Sequence, residues 1–150
     1  MVGLTGGGIL LWVFQRPKVE LLSVREAAWY YLYKDGEHII STELIVSVSL
    51  RNKGTEDTNV SVTFETKINE KPVFFTSSDS IELRGRGMRK EARVYLVLPK
   101  EEGYPKDNTE LTGVLRLEVW GNKRLFLGND RLEENIIASC GQNKRLEKSF

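Results

Sequence analysis

Few side chains in this sequence are of the types that do chemistry, and their spacing arms none of them. The single imidazole, His38, follows Asp35-Gly36 and flanks Ile39-Ile40. A general base needs a positioned partner and a proton to take; the sequence supplies neither, and His38 reads as structural or solvent-exposed. The single thiol, Cys140, stands in Ala138-Ser139-Cys140-Gly141. A nucleophilic thiol needs a lowered pKa and a neighbouring base. Nothing ties Cys140 to His38, so a small buried or tail thiol is expected. Asn129-Asp130 with Glu133-Glu134 offers oxygen ligands without the spacing of an EF-hand, and one Cys with one His is too few for an ordinary zinc site. Gly6-Gly7-Gly8 has no Lys-Ser/Thr after it and no strand before it, so it is not a phosphate-binding loop. No catalytic residue, cofactor site or metal ligand is assigned, and the chain is not expected to be an enzyme.

Two stretches suit contact better than catalysis. Trp29-Tyr30-Tyr31-Leu32-Tyr33 concentrates aromatics. Strand alternation places Trp29, Tyr31 and Tyr33 on one face, and Tyr30 with Leu32 on the other. One face belongs to the core; the other is either an exposed aromatic ladder for a partner or cross-strand packing. The most basic stretch, Arg84-Gly85-Arg86-Gly87-Met88-Arg89-Lys90-Glu91-Ala92-Arg93, could hold phosphates or anionic headgroups through Arg84, Arg86, Arg89 and Lys90 and through glycine N–H groups. The competing reading is a solvated hairpin paired with Glu82 and Glu91. Asn59-Val60-Ser61 matches a glycosylation sequon but falls inside an expected strand.

The elements that must position these residues are strands. In Glu43–Arg51, Leu44, Val46, Val48 and Leu50 alternate with Ile45, Ser47, Ser49 and Arg51; Asn59–Ile68 repeats the pattern. Further strands are expected at Val19–Val24, Trp29–Tyr33, Glu37–Ile40, Val73–Thr76, Ser80–Leu83, Ala92–Leu98, Thr112–Trp120 and Arg124–Leu127. Asp35-Gly36, Asn52-Lys53-Gly54, Asn69-Glu70, Gly85-Arg86-Gly87 and Gly121-Asn122 are turn chemistry between them. Arg131–Ser139 reads as one or two helical turns or a last strand. Seven or more short antiparallel strands point to an all-β, two-sheet sandwich, with a closed barrel as the alternative.

The chain has 150 residues, 29% charged and 40% hydrophobic, which suits one globular domain. Its 22 Lys and Arg against 21 Asp and Glu leave a formal charge of +1, so no global field steers it to nucleic acid. Residues 1–15 contain no ionisable side chain, and Arg16-Pro17-Lys18 ends that leader sharply. As a helix the leader reaches about 22 Å against a hydrocarbon core of about 30 Å. It reads as a short membrane anchor with Trp12 at the interface, as a buried first strand, or as a loose glycine-rich end. Three units follow: leader 1–15, β-domain 16–140, and polar tail 141–150, expected to fray.

The strand–Asn52-x-Gly54–strand run from Leu44 to Val62 resembles CARDB-type modules, immunoglobulin-like domains of prokaryotic surface and secreted proteins. The entry Pro17-Lys18-Val19-Glu20-Leu21 after an apolar leader is similar to the late embryogenesis abundant type 2 (water-stress) domain, which usually has Asn-Pro-Asn where this chain has Asn52-Lys53-Gly54. Both resemblances imply an immunoglobulin-like sandwich and neither implies catalysis. The expected role is a membrane-tethered module in contact with a protein partner or itself, or an envelope component; the alternative is a water-stress-type protective or apolar-ligand-binding domain. Arg16, Lys18 and Arg25 favour a cytoplasmic domain by the positive-inside tendency, whereas the surface-module resemblance favours the other side.

Overall fold

The computed structural model describes residues 18–34, 36–120, 130–141 and 146–147. The leader, the expected strand Arg124–Leu127, and Asn129 lie outside them. The described chain is all-β: β1 (Val19–Tyr33), β2 (Ile39–Asn52), β3 (Thr58–Ile68), β4 (Lys71–Thr76), β5 (Ile81–Leu83), β6 (Met88–Pro99), a 3₁₀ turn at Lys100–Glu102, β7 (Leu111–Val119), β8 (Asp130–Cys140) and β9 (Leu146–Glu147).

Several expected strands merge. Val19–Val24 and Trp29–Tyr33 form one long β1, because register shifts between Leu21 and Ser23 and between Arg25 and Ala27 bend it without ending its ladder with β2. Glu37–Ile40 is absorbed partly into β2, which begins at Ile39, and Gly36, at φ 80°, lies in the turn before it. Arg131–Ser139 is strand, not helix. Ile136 and Ala138 turn inward at a spacing of two while Glu133, Asn135 and Ile137 stay exposed. The polar tail is not wholly apart from the domain, since Leu146–Glu147 runs beside Leu32 and Tyr33.

The strands close on themselves in the order β1-β2-β6-β4-β3-β7-β8-β1, a ring of 7 strands with β5 beside β3 and β9 beside β1. Every seam of the ring is antiparallel except β1–β8. Antiparallel strands were the expectation, and a ring of odd number cannot keep every seam antiparallel: direction alternates at each step, so one seam must join strands of the same sense. The seams are unequal. β4 meets β6 at one pair, Thr76↔Val97, and β1 meets β8 at only two, Ala28↔Ser139 and Trp29↔Cys140.

Alternation fills the interior. Trp29, Leu44, Val46, Leu50, Val60, Phe64, Phe75, Leu96, Leu98, Leu115 and Leu117 are fully buried in one cluster, each such side chain contributing about 1.5–3 kcal/mol by leaving water. Outward positions pair in charge: Arg116 donates to Glu133 at 3.0 Å and to Glu65 at 3.3 Å, and Arg131 donates to Glu118 at 3.1 Å. The bond to Glu133 is the main reason the Arg116 guanidinium holds its proton more tightly than usual.

Candidate functional site

The chain enters β1 at the end of the ring where β2 ends and β6 begins. Asn52 sits there fully buried and knots the three together. Its Oδ1 accepts from the Lys18 N–H (3.1 Å) and the Gly54 N–H (3.0 Å), and its Nδ2 donates to the Glu56 carbonyl (2.8 Å). The backbone carbonyl of Asn52 accepts from the Gly87 N–H at 2.7 Å. Asn52-x-Gly54 is therefore a side-chain-closed turn that holds the leader's exit against the basic turn. Gly85 is required at this contact, because a Cβ there would lie 2.6 Å from the Gly54 carbonyl oxygen.

The basic turn thus stands at the leader-exit pole. Its glycine N–H groups are not free for a phosphate: Gly85 N–H donates to Asp57 Oδ1 (2.9 Å), Arg86 N–H to the Gly54 carbonyl (2.5 Å) and Gly87 N–H to Asn52. This corrects the expectation that the glycine amides offer themselves to an anion: only side chains are left to meet one. The hairpin reading also needs amending. Lys90 Nζ is held by the Glu82 carbonyl (2.8 Å), but exposed Arg84, Arg86 and Arg89 make no ion pair among the described residues. Of the nearby carboxylates, Asp57 accepts from Gly85 N–H, Glu20 pairs with Lys53 and Glu91 lies 3.9 Å from Arg25. Asp57 shares a cleft wall with Arg84 and Arg86, and Glu82 shares one with Arg84 and Arg89. The ladder sets Arg51 directly opposite Arg89 on β6 and Glu20 on β1, and Arg51 Nε is buried without a hydrogen-bond partner. Like charges facing each other across a ladder destabilise it. Two clefts of about 500 and 230 Å³ flank the turn and share Arg84 and Met88 in their walls; Met88 is 55% exposed.

Sequence reasoning named Arg84, Arg86, Arg89 and Lys90 but missed Arg51 and Asn52. Asn52-x-Gly54 was visible as a turn. The opposition of Arg51 and Arg89 depends on register between residues far apart in sequence, and no local signal carries it.

At the opposite pole, Trp29, Tyr31 and Tyr33 do share a face, but they are no exposed ladder. Trp29 is fully buried and Tyr33 nearly so. Trp29 Nε1 donates to the Thr109 carbonyl (2.7 Å), and Tyr31 Oη donates to the Pro105 carbonyl. Tyr31 packs edge-on to Trp29 (5.0 Å), Tyr33 (6.3 Å) and Tyr104 (6.1 Å). The physical reason is the loop between the 3₁₀ turn and β7, which folds over this face and satisfies the ring N–H and O–H groups with its own carbonyls. A partner cannot reach Trp29 or Tyr33 in this arrangement. Tyr104 at this end is 44% exposed.

Burial foremost, then Asp107, Cys140 and the two neighbouring tyrosines, pushes the Tyr31 phenol up to about 12. Cys140 Sγ lies 3.7 Å from Asp107 Oδ1; burial chiefly, helped by Asp107, pushes its thiol up as well. That is the reverse of what activates a thiolate. His38 is exposed in the β1–β2 turn, where its carbonyl accepts from Lys34 N–H at 3.2 Å. Asn59 of the sequon is exposed on β3. Among the described residues, no three His, Cys, Asp or Glu side chains gather as metal ligands, and no helix is long and apolar enough to cross a membrane.

No protein-family model and no curated protein matches the chain. Among solved structures, a β-glucosidase from Listeria innocua, in complex with glucose, is similar over 83% of this chain and 16% of its own, with 16% identity and a TM-score of 0.36. The ASH/PapD-like domain of human CEP192 (PapD-like domain 7) is similar over 88% of this chain and 87% of its own, with 15% identity and a TM-score of 0.35. The chain spans only 16% of the glucosidase, and likenesses this distant leave its role to be argued from its own residues.

Proposed function

We propose that this chain is a non-catalytic, immunoglobulin-like module, held at a membrane by residues 1–15 and working through protein contact at an open strand edge. In this reading the ring is a flattened sandwich. β1, β2 and β6 form one sheet and β4, β3, β7 and β8, with β5, the other, and the two short seams are places where the sheets touch at their margins. Such a body needs no helix and no cleft. It presents edges, and added-strand pairing is how sheet edges bind.

One observation carries the reading. β8 is paired with β7 from Asp130 to Ala138, yet with β1 only at Ser139 and Cys140. Among the described residues, the rest of that β8 edge and the facing edge of β1 from Val19 to Ala27 have no ladder partner. Glu134 supports this: it is paired opposite fully buried Leu115, on the inward side of β8, and is nonetheless exposed. An inward-aimed charge on an edge strand limits indiscriminate pairing, which suits an edge kept for a chosen strand.

The test is sedimentation of the full chain in detergent across a concentration series, with amide exchange read alongside. Reversible association that slows exchange within residues 131–137 is expected. A monomer at every concentration, with those amides exchanging at one rate throughout, overturns self-pairing at this edge.

A further inference from the structure

We propose that the leader-exit pole is an anionic-headgroup site: Arg84, Arg86 and Arg89, backed by Arg51, bind lipid phosphates while Met88 enters the headgroup layer. The inference rests on the reading that residues 1–15 enter a membrane, and it adds how the domain is oriented there.

The covalent distance comes first. Only Arg16, Pro17 and Lys18 separate the leader from β1, and three extended residues span at most about 11 Å. The Lys18 N–H and carbonyl are both fixed, the first to Asn52 Oδ1 and the second by the Lys53 N–H at 2.8 Å. A leader held in a bilayer therefore presents this pole, and no other, to the headgroups.

The charge at the pole is arranged for an anion from outside. Three exposed guanidinium groups have no carboxylate partner among the described residues. Arg51 stands in the ladder between Arg89 on β6 and Glu20 on β1, whose carboxylate is bound by Lys53; the Arg51↔Arg89 contact is repulsive, and Arg51 Nε is buried without a hydrogen-bond partner. A phosphate bridging the two guanidinium groups removes the repulsion and uses the fork geometry that arginine offers. Met88, more than half exposed between the two clefts, supplies an apolar tip among the cations. Nucleic acid would want the same cations, but it has no use for an exposed thioether or for an apolar leader three residues away.

The experiment uses the full chain with Cys140→Ser and Met88→Cys, the latter carrying an environment-sensitive fluorophore. It is mixed with phosphatidylcholine vesicles, with and without about one-third phosphatidylglycerol, and followed by flotation and emission. Flotation on neutral vesicles reports the leader alone. A blue shift at position 88 only on anionic vesicles, reversed by salt, reports the pole. The proposal expects this shift, and expects Arg84→Glu/Arg86→Gly/Arg89→Glu to abolish it while leaving neutral flotation intact; glycine at 86 suits the φ of 66° there.

If the leader does not insert, three cations near the surface still imply roughly a hundredfold preference for anionic over neutral vesicles, and the triple variant removes it. That result sustains the headgroup site while ending the tether. Flotation on both vesicle types with identical emission overturns the headgroup site and keeps the tether. Flotation on neither overturns both, as does salt-sensitive binding to a DNA duplex with no vesicle binding.

Discussion

Replacing Asn52 with alanine tests whether one buried amide joins three segments. The side chain makes three hydrogen bonds, to Lys18 N–H, Gly54 N–H and the Glu56 carbonyl, at 3.1, 3.0 and 2.8 Å. Each is worth about 1 kcal/mol net, and an orphaned buried group costs about 1–3 kcal/mol. Water can reach the Lys18 and Glu56 groups more readily than the buried Gly54 N–H, so Asn52→Ala should cost about 3 kcal/mol. For a domain of this size that lowers Tm by about 6–12 °C. Urea unfolding followed by tryptophan fluorescence reads the loss as a lower midpoint at unchanged slope. Amide exchange locates it: the Gly54 N–H should lose protection, whereas Gly87 N–H, bonded to the backbone of Asn52, should keep most of its own. Asn59→Ala is the control, an exposed asparagine expected to change stability by less than about 0.5 kcal/mol. If Asn52→Ala costs no more than this control, the knot is not what holds the leader exit to the basic turn.

Three other perturbations follow from the geometry. A Cβ on Gly141 would lie 1.8 Å from the Tyr30 ring, so Gly141→Ala should destabilise by about 1–3 kcal/mol, and Tyr30→Ala in the same chain should recover part of it; additive losses would show that the two do not touch. In a spectrophotometric titration, Tyr31 should ionise near pH 12. The sign follows from a raised pKa: the neutral phenol's contribution is whole below the unfolded value of about 10 and lost as pH climbs through about 12. Tyr31→Phe should delete that late step, and loss of absorbance near pH 10 instead would sink the assignment. Glu134→Val removes the inward charge from the β8 edge and should increase concentration-dependent self-association in sedimentation; an unchanged profile argues that Glu134 does not guard that edge.

The strand period was legible because burial of one face imposes it locally. Leu44 to Leu50 and Val60 to Ile68 announce their inward residues without any knowledge of a partner strand. The Asn52-x-Gly54 turn was legible for the same reason, since an asparagine closes it within three residues. Arg131–Ser139 was ambiguous because Leu132, Ile136 and Ile137 also fit a helical face. Its ladder with β7 settled the matter by aligning it from Leu111↔Ala138 onward.

What sequence alone determined is therefore the material of the fold: an all-β chain, its turns, its apolar faces, a charge-free leader and one basic turn. Tertiary structure decided which of those groups are open to a partner. Trp29 and Tyr31 have the chemistry of a contact surface, but a loop more than seventy residues away closes over them and takes up their ring N–H and O–H groups. Arg84, Arg86 and Arg89 looked matched by Glu82 and Glu91, yet they make no ion pair among the described residues, and Glu91 lies beside Arg25 instead. Side-chain type and local period are fixed residue by residue, whereas exposure and pairing depend on which distant strands and loops come to lie alongside.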